Sequence, residues 1–177
     1  VNAHLPAALQ LPESRWAEPM RIRHLLSHTA GFEDSALGHL FVRDPAHLLS
    51  PEDYLLRYRP ARVRPPGAEA VYSNYGVALL GAVIAHLSGR SYIEQVEATL
   101  LRPLGMRHAS FREPLPEGHP AALSSAEREE LAQGFRRVAG RFVPGEFEHL
   151  AHGSAAGGMS ASAADMARWM SMLLGAG

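Results

Sequence analysis

Along much of this chain apolar residues recur at three- and four-residue spacings, and few stretches alternate. In residues 21–28, Ile22, Leu25 and Leu26 share one face and Gly31 lies beyond the end, which predicts a short helix. Ser50-Pro51-Glu52-Asp53 combines a capping hydroxyl, a proline for the first turn and acids for the positive dipole end. It predicts a helix that runs to about Tyr58 and stops before Pro60. From Ser73 or Asn74 to Ser88 the chain is apolar on nearly all sides, which predicts the central buried helix, closed by Gly89. Ser91-Tyr92-Ile93-Glu94 is a capping box for a helix to about Leu101, ended by Pro103 and Gly105. Ser124-x-x-Glu127 predicts a short polar helix to Leu131, and Ser162-x-x-Asp165 caps a final amphipathic helix over residues 163–174.

The connections carry less pattern. Residues 1–20, with Pro6, Pro12 and Pro19, read as an extended, turn-rich lead-in. Residues 34–49 predict loop with helical turns, residues 59–67 a basic, proline-rich connector, and residues 106–123 irregular structure. Residues 133–138 and 141–147 alternate about Ala139-Gly140, which predicts a small β-hairpin. Residues 151–160 form a small-residue turn segment. The expectation is a mainly α chain, one helical domain over residues 1–177, with no run of strands able to build a large sheet.

Composition narrows the chemistry. A chain of 177 residues with 46% hydrophobic residues can bury a core of its own. A net charge of −1 argues against a nucleic-acid partner, which calls for a strongly basic footprint. All 17 basic residues are arginine, so no lysine amine is available as a base or Schiff-base former. With no cysteine, disulfides, thiol nucleophiles and cysteine-ligated zinc are excluded. The longest apolar run, residues 77–87, is too short to cross a bilayer, and no signal peptide is visible. The first and last residues read as those of an excerpt. No cofactor is implied.

The most informative stretch is Pro66-Gly67-Ala68-Glu69-Ala70-Val71-Tyr72-Ser73-Asn74-Tyr75-Gly76, which sets a phenol and a carboxamide at the mouth of the central helix. A phenol is a poor base at neutral pH, with a reference pKa of about 10, and nearby cations favour the phenolate. The asparagine can donate to and accept from a substrate amide. A buried tyrosine followed by a helix-capping asparagine accounts for the tripeptide equally well.

Three stretches in order extend the pattern: Ile22-Arg23-His24-Leu25-Leu26-Ser27-His28-Thr29-Ala30-Gly31, then Pro66-Gly67 with Tyr72-Ser73-Asn74, then Ala155-Ala156-Gly157-Gly158-Met159-Ser160 leading into Ser162-Ala163-Ala164-Asp165-Met166-Ala167-Arg168. Together they resemble the class C β-lactamase, DD-peptidase and family VIII esterase group of serine hydrolases. The resemblance implies a helical subdomain of the β-lactamase/transpeptidase-like fold, with its main antiparallel sheet lacking from these residues. It implies Tyr72 as proton-transfer partner, Asn74 as substrate anchor and His28 in a structural turn. It also implies a Ser-x-x-Lys before these residues and a Lys/His-x-Gly strand after them. Neither lies within them, so the chain alone should be inactive. In the intact protein the implied partners are a small amide, ester or β-lactam substrate and the missing sheet domain, which would pack on the helices. Alone, the chain should expose apolar surface and self-associate. A natural, non-catalytic helical binding module is the alternative.

Other candidates carry less. His24 and His28, four apart on a helix, could share a metal, but the Leu-Leu-Ser spacer lacks the metalloprotease glutamate. Gly153-Ser154-Ala155-Ala156-Gly157 fails the nucleophile-elbow spacing. Glu127, Glu129 and Glu130 read as a solvated helix face, and Trp16 and Trp169 as packing residues. Arg57, Arg59, Arg62 and Arg64 read as a solvated connector or as a site rim attracting carboxylates.

Overall fold

A computed structural model describes residues 1–34 and 36–175. Its helices are α1 (Ile22–Leu26), α2 (Pro51–Arg57), α3 (Asn74–Ser88), α4 (Tyr92–Val96), α5 (Ser125–Glu130) and α6 (Ala163–Leu174). A single hairpin joins β1 (Phe135–Val138) to β2 (Arg141–Pro144), with Phe135 opposite Pro144 and Val138 opposite Arg141. The mainly α expectation therefore holds, and among the described residues the only sheet has two strands.

The helix starts lie where their caps put them. Ser50, Ser73, Ser91, Ser124 and Ser162 each accept a backbone N–H from the first turn of α2 to α6 in order. Each such bond satisfies a donor that the helix itself leaves unpaired. Gly89 ends α3 at φ 67°. Past Val96 the helix runs on as a π-type turn over Glu97–Leu101, where the sequence predicts continued α-helix. The hairpin is shorter than predicted at both outer ends. Its turn places Ala139 at φ 48° and Gly140 at φ 82°, the positive pair that a two-residue connection matched to strand twist requires.

α3 is the central element, touching α1, α2, α4 and the 3₁₀ turn Ala151–Ala156. Leu79 is fully buried beside Leu25, Leu55 and Tyr75 in the largest hydrophobic cluster. Truncating so enclosed a leucine to alanine typically costs about 2–5 kcal/mol. The expected all-round burial holds only for the first two-thirds of α3. Ile84 and Leu87 face solvent, because the helix runs out beyond the elements that cover it. Met170, Leu173 and Leu174 of α6 are also exposed, while Trp169 packs against a small cluster of Leu101, Met106 and Ala109.

Long-range links close the chain on itself. Val42 and His149 exchange backbone hydrogen bonds of 2.9 and 2.7 Å, and the His152 ring nitrogen Nε2 lies 2.9 Å from the Leu40 carbonyl. Tyr54 of α2 stacks on His152 at 4.4 Å between ring centroids. Glu113, buried, accepts the Leu150 N–H at 2.7 Å and sits 3.2 Å from His149 Nδ1. Burial pushes the Glu113 carboxyl up, against the opposing pull of the Leu150 N–H and His149. This buried pair has no local sequence signature and was not anticipated. Among the described residues no single helix is long and apolar enough to cross a membrane.

Candidate active site

The turn that follows α1 builds the platform for Tyr72 and Asn74. His28 adopts a positive φ of 55°, which turns the chain back sharply. Its carbonyl accepts the Val71 N–H at 2.8 Å, and its ring nitrogen Nδ1 accepts the Ser73 N–H at 3.2 Å. The Thr29 carbonyl accepts the Gly67 N–H at 2.8 Å. Gly31 continues the clasp: its carbonyl accepts the Val63 N–H at 2.8 Å, and a Cβ at this position would lie 2.1 Å from the Arg64 carbonyl oxygen. With φ at 81° as well, only glycine fits there. These contacts hold the segment before α3 against the turn after α1, and so fix where α3 starts.

At that start Ser73 is the capping residue, its Oγ accepting the Gly76 N–H at 3.1 Å, and Asn74 is the first helical residue. The sequence left the choice between Ser73 and Asn74 open; the structure assigns the cap to Ser73 and frees the Asn74 side chain. The Tyr72 hydroxyl lies 3.2 Å from Asn74 Oδ1. The Tyr72 ring packs against the His28 ring at 4.5 Å between centroids, and the residue is 56% exposed. The two predicted site residues are thus side by side with their polar ends open to solvent. Three other phenols are unsuited to such a role: burial pushes Tyr54 up to about 12 and also raises Tyr75 and Tyr92.

A third residue joins them. Asp34 Oδ1 accepts the Asn74 backbone N–H at 3.1 Å, and Asn74 Nδ2 lies 3.2 and 3.3 Å from Asp34 Oδ1 and Oδ2. Asp34 sits 40 residues upstream in a stretch without periodicity, so nothing local marks it.

The remaining candidates are used elsewhere. His24 Nδ1 accepts the Arg21 N–H at 3.2 Å at the start of α1, so His24 and His28 serve two different backbone amides rather than a shared ion. Burial, helped by Arg23 and Arg21, lowers the His24 pKa. Arg57 lies over Tyr58, Arg62 over Trp16, Arg59 donates to the Leu9 and Gln10 carbonyls, and Arg64 pairs with Glu69 at 2.8 Å. The connector is therefore engaged in packing and pairing contacts of its own. Ser154 is buried within the 3₁₀ turn. Glu127 closes the capping box with Ser124, and Glu130 lies 2.6 Å from His108 Nδ1.

The family model described as Beta-lactamase matches residues 1–177. The chain belongs to the β-lactamase family. It is 26% identical over 137 residues to a protein of Salmonella paratyphi A that bears the name of a D-alanyl-D-alanine carboxypeptidase, a match covering 72% of this chain and 30% of that one. The octameric penicillin-binding protein homologue from Pyrococcus abyssi matches in structure with a TM-score of 0.66 and 28% identity, over 90% of this chain and 36% of that one. The β-lactamase/D-alanine carboxypeptidase from Yersinia pestis matches with a TM-score of 0.69 and 21% identity, over 95% of this chain and 43% of that one, and shows the shared fold. The chain thus spans less than a third of the curated relative's length and under half of these structural neighbours.

Proposed function

We propose that this chain is the helical section of a serine hydrolase that works by acyl transfer through an acyl-serine. Tyr72 moves the proton, and Asn74 anchors the substrate amide. The observation that carries the reading is the Tyr72–Asn74 pair, 3.2 Å apart at the start of the central helix, in a chain of this family. The family's named members include D-alanyl-D-alanine carboxypeptidases and β-lactamases, which supports a small-molecule amide, ester or β-lactam as the substrate. Nucleophile and lysine would come from the remainder of the protein, since this chain has no lysine. That remainder would also cover the apolar faces that α3 and α6 leave exposed, and without it the chain would self-associate and be inert toward substrate.

The test is to express the complete reading frame that contains this chain and assay a chromogenic cephalosporin beside a short-chain nitrophenyl ester. Turnover of either, with Tyr72→Phe lowering kcat by about 100-fold or more, is the expected result for a lost proton-transfer group. Turnover unaffected by Tyr72→Phe and Asn74→Ala would remove both residues from the chemistry. A complete protein without turnover on either substrate class would favour a non-catalytic helical binding module.

A further inference from the structure

We infer that Asp34 is a positioning residue for Asn74: its carboxylate sets which end of the Asn74 amide faces Tyr72. The inference rests on the proposed roles of Tyr72 and Asn74 and adds to them a residue from a separate part of the chain. An ionised carboxylate only accepts hydrogen bonds. The end of the Asn74 amide turned toward Asp34 is therefore Nδ2, at 3.2 and 3.3 Å from the two carboxylate oxygens. Oδ1 then faces the other way, and the Tyr72 hydroxyl lies 3.2 Å from it. Because Oδ1 is also acceptor-only, the Tyr72 hydroxyl donates. The polarity of the array is set from the carboxylate outward: Asp34 accepts, Asn74 donates and accepts, Tyr72 donates.

A second bond makes the lock rigid. Asp34 Oδ1 also takes the Asn74 backbone N–H at 3.1 Å, one of the donors that the first turn of a helix leaves unpaired. The carboxylate thus grips one residue at both its main chain and its side chain, at a helix end whose dipole favours an anion. Without Asp34, the amide can rotate by half a turn and offer Nδ2 to Tyr72 or to substrate. The orientation that anchors substrate would then become the minor one.

The experiment uses the complete protein with Asp34→Ala, Asp34→Asn, Asn74→Ala and Tyr72→Phe. Steady-state kinetics are combined with active-site titration and with hydrogen exchange of the Asn74 side-chain amide followed by NMR. Asp34→Ala should raise KM about tenfold, lower kcat far less than Tyr72→Phe does, and speed Asn74 amide exchange, because a substrate anchor is freed while the phenol itself stays. Asp34→Asn keeps one acceptor for the backbone N–H and should recover part of the loss, with KM up about threefold. A fall in titratable sites with KM unchanged would mean that Asp34 only supports folding, and overturns the inference. Unchanged KM with unchanged Asn74 exchange overturns it as well. If Asn74→Ala and Tyr72→Phe leave turnover intact, the proposed function fails instead, and faster Asn74 exchange in Asp34→Ala alone decides whether the positioning contact exists.

Discussion

α3 and α6 begin alike and are completed differently. Each starts after a serine whose hydroxyl accepts an N–H of the first turn, and each has a carboxylate at that start. In α6 the carboxylate is local: Asp165 is fully buried and accepts the His108 N–H at 2.9 Å, the Ser162 hydroxyl at 3.0 Å and Arg168 Nη1 at 3.2 Å. In α3 it arrives from Asp34, 40 residues away and exposed. Both carboxylates tie a helix start to a distant segment, Asp165 to His108 and Asp34 to Asn74. Asp165 does so from its own helix at a fully buried site, whereas Asp34 does so from outside the helix, at an exposed end that carries the Tyr72–Asn74 pair.

The largest effect expected from this contrast is at Asp165. Asp165→Ala removes the acceptor of three donors at a fully buried site and should cost about 3 kcal/mol, read as a lower urea midpoint at unchanged m-value. A loss below about 1 kcal/mol would show that water replaces the carboxylate there. The two caps come next. Ser162→Ala should cost about 1 kcal/mol, and Ser73→Ala nearer 2, because the Gly76 N–H that it strands is buried. Equal losses would break the distinction. Asp34→Ala, exposed and replaceable by water, should cost only about 0.5 kcal/mol while still perturbing substrate binding.

The smallest effect is a slope with pH. Burial lowers the His152 pKa and outweighs the backbone hydrogen bonds to Leu40 and His39 that raise it, so the folded state prefers the neutral ring. That stability is complete above the unfolded histidine value of about 6.5 and is lost as pH falls below it. For Asp165 burial raises the pKa, but the hydrogen bonds from Ser162 and His108 outweigh it and the net shift is downward. Its contribution is present above the ordinary aspartate value and is lost only as pH falls further, through the lowered folded one. Thermal unfolding of wild type and His152→Phe between pH 7 and 3 should therefore show an early decline that the variant lacks, followed by a shared late one. An early decline surviving in His152→Phe would assign it to other groups, such as His24.

The caps explain how much of the fold the sequence disclosed. Ser50, Ser91, Ser124 and Ser162 act within one turn of themselves, so the starts of α2, α4, α5 and α6 could be read directly. Tyr72 and Asn74 were legible because their spacing carries the motif. Asp34 was not, since its meaning depends on the His28 and Gly31 turns bringing residues 34 and 74 together. The buried Glu113–His149 pair escaped for the same reason: its two members lie 36 residues apart. The exposed end of α3 was misread because an apolar pattern states what a helix can bury, whereas the available partners decide what it does bury.

The contact between the His152 ring and the Leu40 carbonyl bears on the order of assembly. It closes a loop of 112 residues, against 40 for Asp34 and Asn74. By the logarithmic dependence of closure entropy on loop length, the longer link costs about 0.9 kcal/mol more to form. The clasp around Tyr72 can therefore be in place while the 151–156 turn is still searching for Tyr54, before the core is complete. Substitutions at His152 should then quicken unfolding and leave the refolding rate nearly unchanged, whereas substitutions in the His28 clasp should slow refolding.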